Sequence, residues 1–232
     1  MKFAVILAGI AMGLPAVAQA DSRNENSAPF TLSGEVGVVS DYRFRGVSLS
    51  NGDFAVQGSL TLSSRSGFYA SAWASNIAEY NGAKTEVDLT AGWSGPVGPL
   101  TADVSVIGYV YPNGQGANYY ELAGSLSRNF GPLGAKVGVA YSPKQDNLGS
   151  TTNKYVYGEA SYALAGTPVT LNAHAGYETG VYNAKKDYSV GATMDIAVFT
   201  LGVSYIKVDS DPADALGTLA GDKAVLSVKG KF

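Results

Sequence analysis

The sequence has no cysteine, one histidine, three methionines and few charged side chains among its 232 residues. Without cysteine, the chain can form no disulfide, no thiolate metal site and no cysteine nucleophile. Lysine and arginine together number 16 against 19 acidic residues, which argues against a basic surface for nucleic acid. Charged residues make up 15% of the chain, compared with roughly 25% in an ordinary soluble domain.

Glycine and tyrosine are abundant instead, with 29 glycines and 15 tyrosines. The mean hydropathy of +0.04 does not suggest a bundle of membrane helices. The apolar content of 46% and the net charge of -3 argue against a disordered chain. The length suits one large β domain.

The first twenty residues resemble a secretory signal peptide. A positive charge at Lys2 is followed by an apolar run over residues 3–17 and by the small residues of Ala18-Gln19-Ala20. We therefore expect a signal peptide at 1–20, a periplasmic N-terminal segment at 21–29 and a barrel domain at 30–232. A buried N-terminal helix is the alternative, but the polar run at 21–27 gives such a helix nothing to pack against.

Apolar and polar residues alternate along most of the chain after residue 30. A period of two is typical of a strand that has one apolar and one polar face. The pattern predicts about twelve strands, at residues 32–44, 54–62, 68–77, 84–93, 100–111, 119–130, 135–142, 155–164, 169–179, 187–196, 199–208 and 223–232. Short and long connections alternate between them, with long ones expected at 46–53 and 79–83. We therefore expect an all-β fold, a single up-and-down antiparallel transmembrane β-barrel.

Large aromatic residues fall near both ends of the predicted strands on the apolar face, with small aliphatic residues between them. Two aromatic belts of this kind are typical of membrane interfaces. A lipocalin-like barrel would instead turn its bulky residues inward. The belt predicted near the long connections comprises Phe44, Phe54, Tyr120, Tyr141, Tyr155 or Tyr157, Tyr177, Tyr188 and Tyr205. The belt predicted near the short turns comprises Phe68, Trp93, Phe130, Tyr162, Phe199 and Phe232.

The last predicted strand alternates apolar residues with lysines and ends at Phe232. A final strand with a terminal phenylalanine resembles the signal that the outer-membrane assembly machinery reads in bacterial barrels. An ordinary amphipathic edge strand is the alternative. Pairing of this strand with the first one would close the sheet and remove an open edge.

Several short motifs resemble the TorF family of porin-like proteins. They are Asp41-Tyr42-Arg43-Phe44-Arg45-Gly46-Val47-Ser48, Gln57-Gly58, Gly67-Phe68-Tyr69-Ala70, Trp73-Ala74-Ser75-Asn76, Glu86-Val87-Asp88-Leu89, Gly92-Trp93 and Tyr119-Tyr120-Glu121. The family commonly has glutamine where this chain has Leu49. The resemblance implies a proteobacterial outer-membrane porin of largely uncharacterised function, and it implies no substrate and no catalytic residue.

The polar face of the predicted strands would line the lumen. Arg43 and Arg45 are expected either to form a basic constriction or to be neutralised by Asp41, Glu86 or Asp88. A barrel of twelve strands is intermediate in size between filled eight-stranded barrels and open sixteen-stranded porins. The strand number is therefore compatible with an open pore and with a filled lumen. The candidate pore-lining or selectivity residues are Glu35, Asp41, Arg43, Arg45, Glu86, Asp88, Glu121 and His174.

These patterns favour an outer-membrane channel for passive diffusion of small hydrophilic solutes or ions. The alternative is a non-conducting structural or surface-binding barrel whose lumen is filled by side chains. We expect no enzymatic activity, because His174 is the only histidine and alternates with Ala173 and Ala175. We expect no cofactor, no metal and no nucleic acid. The expected partners are outer-membrane lipid, lipopolysaccharide, the assembly machinery and the solutes.

Overall fold

The computed structural model describes residues 29–232, which form a closed antiparallel barrel of twelve strands. The predicted signal peptide and residues 21–28 lie outside the described residues. The barrel strands are β1 (Phe30–Val39), β4 (Ala55–Ser64), β5 (Phe68–Tyr80), β6 (Ala83–Val97), β7 (Leu100–Val110), β8 (Tyr119–Phe130), β9 (Leu133–Ser142), β10 (Asn153–Ala163), β11 (Val169–Thr179), β12 (Lys185–Ile196), β13 (Phe199–Asp209) and β14 (Lys223–Lys231). Two shorter strands, β2 (Arg43–Phe44) and β3 (Val47–Ser48), form a separate hairpin between β1 and β4.

The barrel closes where β1 pairs with β14. Val36 lies opposite Gly230 in this ladder, and β1 pairs with β4 on its other side. Gly34 and Phe232 continue this ladder by one residue pair, with two backbone hydrogen bonds of 2.8 and 3.0 Å. The predicted fold and the predicted closure of the last strand against the first are confirmed.

The two ends of the barrel differ in the length of their connections. At one end, turns such as 98–99, 131–132 and 197–198 contain two residues each. The opposite end carries the connections 40–54, 111–118, 143–152, 180–184 and 210–222. The turn at 81–82 is an exception at this long-loop end. Asn81 and Gly82 both have positive φ angles, of 49° and 91°, as a tight type I′ hairpin turn requires, so β5 and β6 continue almost to it.

Three 3-10 helices lie in the long connections, at Asp146–Leu148, Pro212–Asp214 and Gly217–Ala220. Among residues 29–232, no helix is both long and apolar enough to span a membrane.

The outer surface of the barrel is apolar. Aliphatic side chains such as Leu60, which is 49% exposed, occupy its middle. Aromatic side chains are exposed near both ends of the strands, at Phe54, Tyr120, Tyr141, Tyr177, Tyr188 and Tyr205 near the long connections and at Phe68, Phe130, Tyr162, Phe199 and Phe232 near the short turns. Three residues that were predicted to lie in the outer aromatic belts do not lie there. Phe44 and Tyr155 are buried and Tyr157 contacts His174, so all three face the interior.

Candidate functional site

The connection from β1 to β4 folds into the barrel at its long-loop end. The first strand ends at Val39, whereas alternation predicts that it continues to residue 44. The chain then turns inward, and β2 and β3 pair as a short hairpin. Most side chains of this segment are buried, including Tyr42, Phe44, Val47 and Leu49. We call residues 40–54 the lumen hairpin.

The tip of the lumen hairpin is the dipeptide Arg45-Gly46. Both residues have positive φ angles, of 45° and 82°, as a tight turn between two antiparallel strands requires. Gly46 also packs closely on β13, since a Cβ atom at this position would lie 2.2 Å from Val208 Cγ2. A side chain on residue 46 would therefore be strained by its backbone conformation and by its neighbour.

Arg45 connects the hairpin tip to the barrel wall. Its guanidinium donates to Glu121 on β8 at 2.5 Å and to Glu178 on β11 at 2.7 Å. Lys185 on β12 completes the arrangement, with Nζ 2.8 Å from Glu178 and 2.5 Å from the carbonyl oxygen of Arg45. The same guanidinium lies over the ring of Tyr155, 4.2 Å from its centre. All four charged side chains are almost fully buried, so the charges compensate one another away from bulk water.

Asp41 stabilises the hairpin from within. Its carboxylate accepts from Arg43 Nε at 2.7 Å and from Ser48 Oγ at 2.5 Å. Arg43 also donates to the carbonyl oxygens of Gly46 and Gly221, at 3.0 and 2.6 Å. The hairpin is therefore bonded both to itself and to the connection between β13 and β14.

Tyrosines fill the space between the hairpin and the wall. Tyr42 packs on Trp73, with ring centres 5.3 Å apart. Tyr109 stacks on Tyr119 at 4.4 Å and also contacts Phe44. These rings belong to one buried cluster that reaches β5, β7 and β8. The hairpin thus occupies the lumen near the long-loop end.

A second, smaller cluster covers the hairpin from the loops. Val47 packs with Tyr182 and Leu216, which belong to two different long connections. Burial, and next the negative charge of Glu178, raises the pKa of Tyr182, so its hydroxyl stays protonated at neutral pH. Nζ of Lys185 lies 5.1 Å from the centre of the Tyr182 ring.

The other half of the lumen, toward the short turns, is more open. His174 lies there with Nε2 2.7 Å from Asp187 and 2.8 Å from the hydroxyl of Tyr155. Lys136 and Glu159 form an ion pair of 3.2 Å next to it. Their side chains are only partly buried, and serine and threonine lie at many of the neighbouring inward positions. We call this half the vestibule.

The predicted site residues lie in three places. Glu35 is in the vestibule, where it pairs with Lys229 at 2.8 Å, and His174 lies there too. The alternation predicted that Asp41, Arg43 and Arg45 belong to a strand of the barrel wall. In the structure they belong to the lumen hairpin. Glu86, Asp88 and Glu121 face the hairpin from β6 and β8, and Phe232 lies at the β1–β14 closure.

The pairing of the arginines also differs from the sequence interpretation. Arg43 does pair with Asp41, but Arg45 pairs with Glu121 and Glu178 instead of Asp41, Glu86 or Asp88. Lys185 and the buried tyrosines were not among the candidates. Lys185 lies between the predicted strands 169–179 and 187–196, and its burial becomes clear only from its contacts with Glu178 and the hairpin. The role of the candidates in selectivity stays a prediction.

The described residues hold no group of three histidine, cysteine, aspartate or glutamate side chains placed to bind a metal ion. His174 is hydrogen-bonded to Asp187 and Tyr155. Ion pairs and hydrogen bonds thus line the lumen.

Solved structures with a similar fold include bacterial outer-membrane proteins. The NanC porin is 13% identical, with a TM-score of 0.55 over 87% of this chain and 98% of the porin. An outer membrane channel from Pseudomonas putida F1 is 10% identical, with a TM-score of 0.52 over 92% of this chain and 99% of the channel. OmpF of Salmonella typhi, solved in complex with daunomycin, is 10% identical, with a TM-score of 0.50 over 88% of this chain and 97% of OmpF. Similarity at these identities shows the fold alone.

The comparison with curated proteins found no match. The model of one protein family matches residues 23–232, which include every strand of the barrel and the lumen hairpin. That family is described as "Bacterial protein of unknown function (Gcw_chp)". The chain belongs to the Gcw_chp family.

Proposed function

We propose that this protein is a porin-like channel of the bacterial outer membrane, through which small hydrophilic solutes or ions diffuse passively. The observation that carries this proposal is the contrast between the two faces of one closed sheet. The outer face is apolar between two sets of exposed aromatic rings, as lipid contact requires. The inner face carries charged and hydroxyl side chains, which suit a path for polar solutes.

The asymmetry of the connections supports an orientation for this channel. Bacterial barrels have short periplasmic turns and longer extracellular loops. In that orientation the vestibule faces the periplasm and the lumen hairpin forms a narrow zone near the cell surface. The TorF resemblance, the assembly role of Phe232 and contacts with lipid and lipopolysaccharide all belong to this proposal. It includes no catalytic step.

The buried lumen hairpin favours one second candidate, a barrel that does not conduct. Arg45, Glu121 and Glu178 are each almost fully buried, and Tyr109 is 1% exposed. If the hairpin and its neighbours block the lumen completely, the protein is a structural or surface-binding barrel. The two candidates differ in whether ions pass the hairpin.

Single-channel recording distinguishes the two candidates. Protein refolded in detergent is added to a planar lipid bilayer in KCl solution, and only preparations with the folded barrel are used. Discrete current steps that scale with KCl concentration are expected for the channel. Absence of steps from the folded protein would reject the channel and support the non-conducting barrel. A heat-unfolded sample of the same preparation is the control for contaminating pores.

A further inference from the structure

One buried carboxylate in the lumen receives no hydrogen bond from a donor group. Asp88 on β6 is 1% exposed, and neither of its carboxylate oxygens accepts from an N–H or hydroxyl group of the chain that the structure describes. An ionised carboxylate buried in this way is strongly unfavourable unless a cation or a proton compensates it.

The surroundings of Asp88 add negative charge. Glu86 lies two residues earlier on the same face of β6, is also fully buried, and has its carboxyl group within hydrogen-bonding reach of that of Asp88. The cations of the hairpin contact are directed elsewhere. Arg45 binds Glu121 and Glu178, and Lys185 binds Glu178. The charge that compensates Asp88 therefore does not come from these two groups.

The side chains around this pair offer oxygen atoms. The hydroxyl of Tyr42 donates to Glu86 at 3.3 Å and that of Tyr111 at 3.1 Å, so both tyrosines lie beside the carboxylates. Oxygen ligands suit hard cations such as Na⁺, K⁺ and Ca²⁺. No third acidic, histidine or cysteine side chain among residues 29–232 completes a metal site here. Two carboxylates bind such a cation weakly, and a conducting channel needs a site from which the ion can leave.

Asp88 also lies at the edge of the buried zone. Thr90, the next inward residue of β6, is half-buried, whereas Glu86 on the other side is fully buried. The same change occurs on β12 between buried Asp187 and half-buried Ser189. The vestibule side is therefore the less buried approach to Asp88.

We propose that Asp88, together with Glu86, is the binding site for an inorganic cation in the lumen and makes the channel prefer cations to anions. The binding site stands on the geometry alone, and the preference for cations rests on the proposed channel function. Its occupant is a hard inorganic cation that approaches from the vestibule side.

Binding can be measured with Tb³⁺, whose luminescence is excited through nearby tyrosines such as Tyr42 and Tyr111. Folded wild-type protein is titrated with TbCl₃ and compared with Asp88→Asn and Glu86→Gln. Asp103→Asn is the matched control, because Asp103 is also a lumen carboxylate beside a tyrosine, with Oδ1 3.1 Å from the hydroxyl of Tyr69. We expect Asp88→Asn and Glu86→Gln to lose the sensitised emission that Asp103→Asn retains, and excess CaCl₂ to displace Tb³⁺ from the wild type.

Tb³⁺ that binds to loop carboxylates or to detergent gives the same background emission in all these samples. The difference between variants therefore reports binding at Asp88 and Glu86. Identical titrations of folded wild-type and Asp88→Asn protein would overturn the proposal and would mean that Asp88 carries a proton instead. Because both substitutions are nearly isosteric, Glu86→Gln provides a second test if one variant does not fold.

Reversal potentials in a KCl gradient test the preference for cations. We expect the wild type to prefer K⁺, Asp88→Asn to shift the reversal potential toward Cl⁻, and Asp103→Asn to shift it less. Equal shifts for the two variants would overturn the assignment to Asp88. A wild type without current would reject the channel function, whereas loss of Tb³⁺ emission in Asp88→Asn would still support the binding site.

Discussion

Arg45 donates to Glu121 across the lumen at 2.5 Å, although 76 residues separate the two in the sequence. Its second donor reaches Glu178, so one planar guanidinium joins β8 to β11 at the hairpin tip. Removal of Arg45 takes the cation from buried Glu121, whereas Glu178 keeps its pair with Lys185. This relationship makes the lumen hairpin part of the barrel and not a mobile loop.

Arg45→Ala is expected to destabilise the protein by about 3–5 kcal/mol, the usual cost of breaking a buried ion pair by removing one side. Glu121 and Glu178 would remain in the lumen without this cation. The measurement is unfolding in urea, followed by the loss of the compact band in gel electrophoresis without heating. Arg128→Ala is the control, because Arg128 is exposed and lies over the ring of Phe130. Equal stability of the two variants would contradict the role given to Arg45.

Replacement of residues 42–52 by a short glycine-serine linker is expected to increase single-channel conductance several-fold. The hairpin fills the lumen at its narrow level, so the pore should widen to the vestibule diameter. The matched control shortens the connection after β13 at residues 211–213, which are exposed and belong to neither buried cluster. The prediction fails if both deletions have the same conductance as the full chain.

Leu60→Arg is expected to reduce stability in lipid vesicles by about 2–4 kcal/mol, the range for a charge on the lipid face near the membrane centre. Leu60 is exposed on the outer surface in the middle of β4. Ser59→Arg is the control, since this neighbour faces the lumen, where it lies opposite Glu35. Denaturant unfolding of both variants in the same vesicles measures the difference. A larger loss for Ser59→Arg would reverse the assignment of the two faces.

Gly34→Val is expected to weaken the closure of the barrel. A Cβ atom at Gly34 would lie 2.5 Å from the ring of Phe232, and the two residues share two backbone hydrogen bonds. Phe232→Ala makes room for the new side chain, so the double variant should recover part of the lost stability. Urea unfolding of protein refolded in detergent measures the stabilities, and the fraction of folded barrel in isolated outer membranes measures the assembly of Phe232→Ala. If Phe232→Ala alone assembles like the wild type, Phe232 is not the assembly signal that the sequence suggests.

The barrel was predictable because alternation is a local property that every strand displays. The bounds of β8 and β11 agree with those expected, and the pairing of β1 with β14 follows from the need to remove edges. Residues 40–44 were wrongly predicted as strand for the same reason, because they continue the alternation of β1. Arg45-Gly46 is not one of the dipeptides that mark a tight hairpin turn, and nothing local shows that the chain turns inward there.

The site was predictable in its composition and not in its contacts. The positions of Glu86, Asp88 and Glu121 on the polar face of alternating strands predict that they face the lumen. Their partners depend on a hairpin whose position is set by long-range contacts, such as that of Lys185 with the carbonyl oxygen of Arg45. Tyr155 lies four residues before Glu159, so alternation places both on one face of the strand. Its large aromatic ring instead suggested a place in the belt that faces lipid. In the structure that ring supports Arg45.

The pairing of β1 with β14 joins the two ends of the described chain. These strands are the furthest apart in the described sequence, with Val36 opposite Gly230, so their contacts have the longest sequence separation in the barrel. The lumen hairpin follows β1 directly, yet its contacts lie on β6, β8, β11 and β12. Contacts of such long sequence separation form slowly. We therefore expect enclosure of the hairpin and sealing of the seam between β1 and β14 to be late, coupled events in folding.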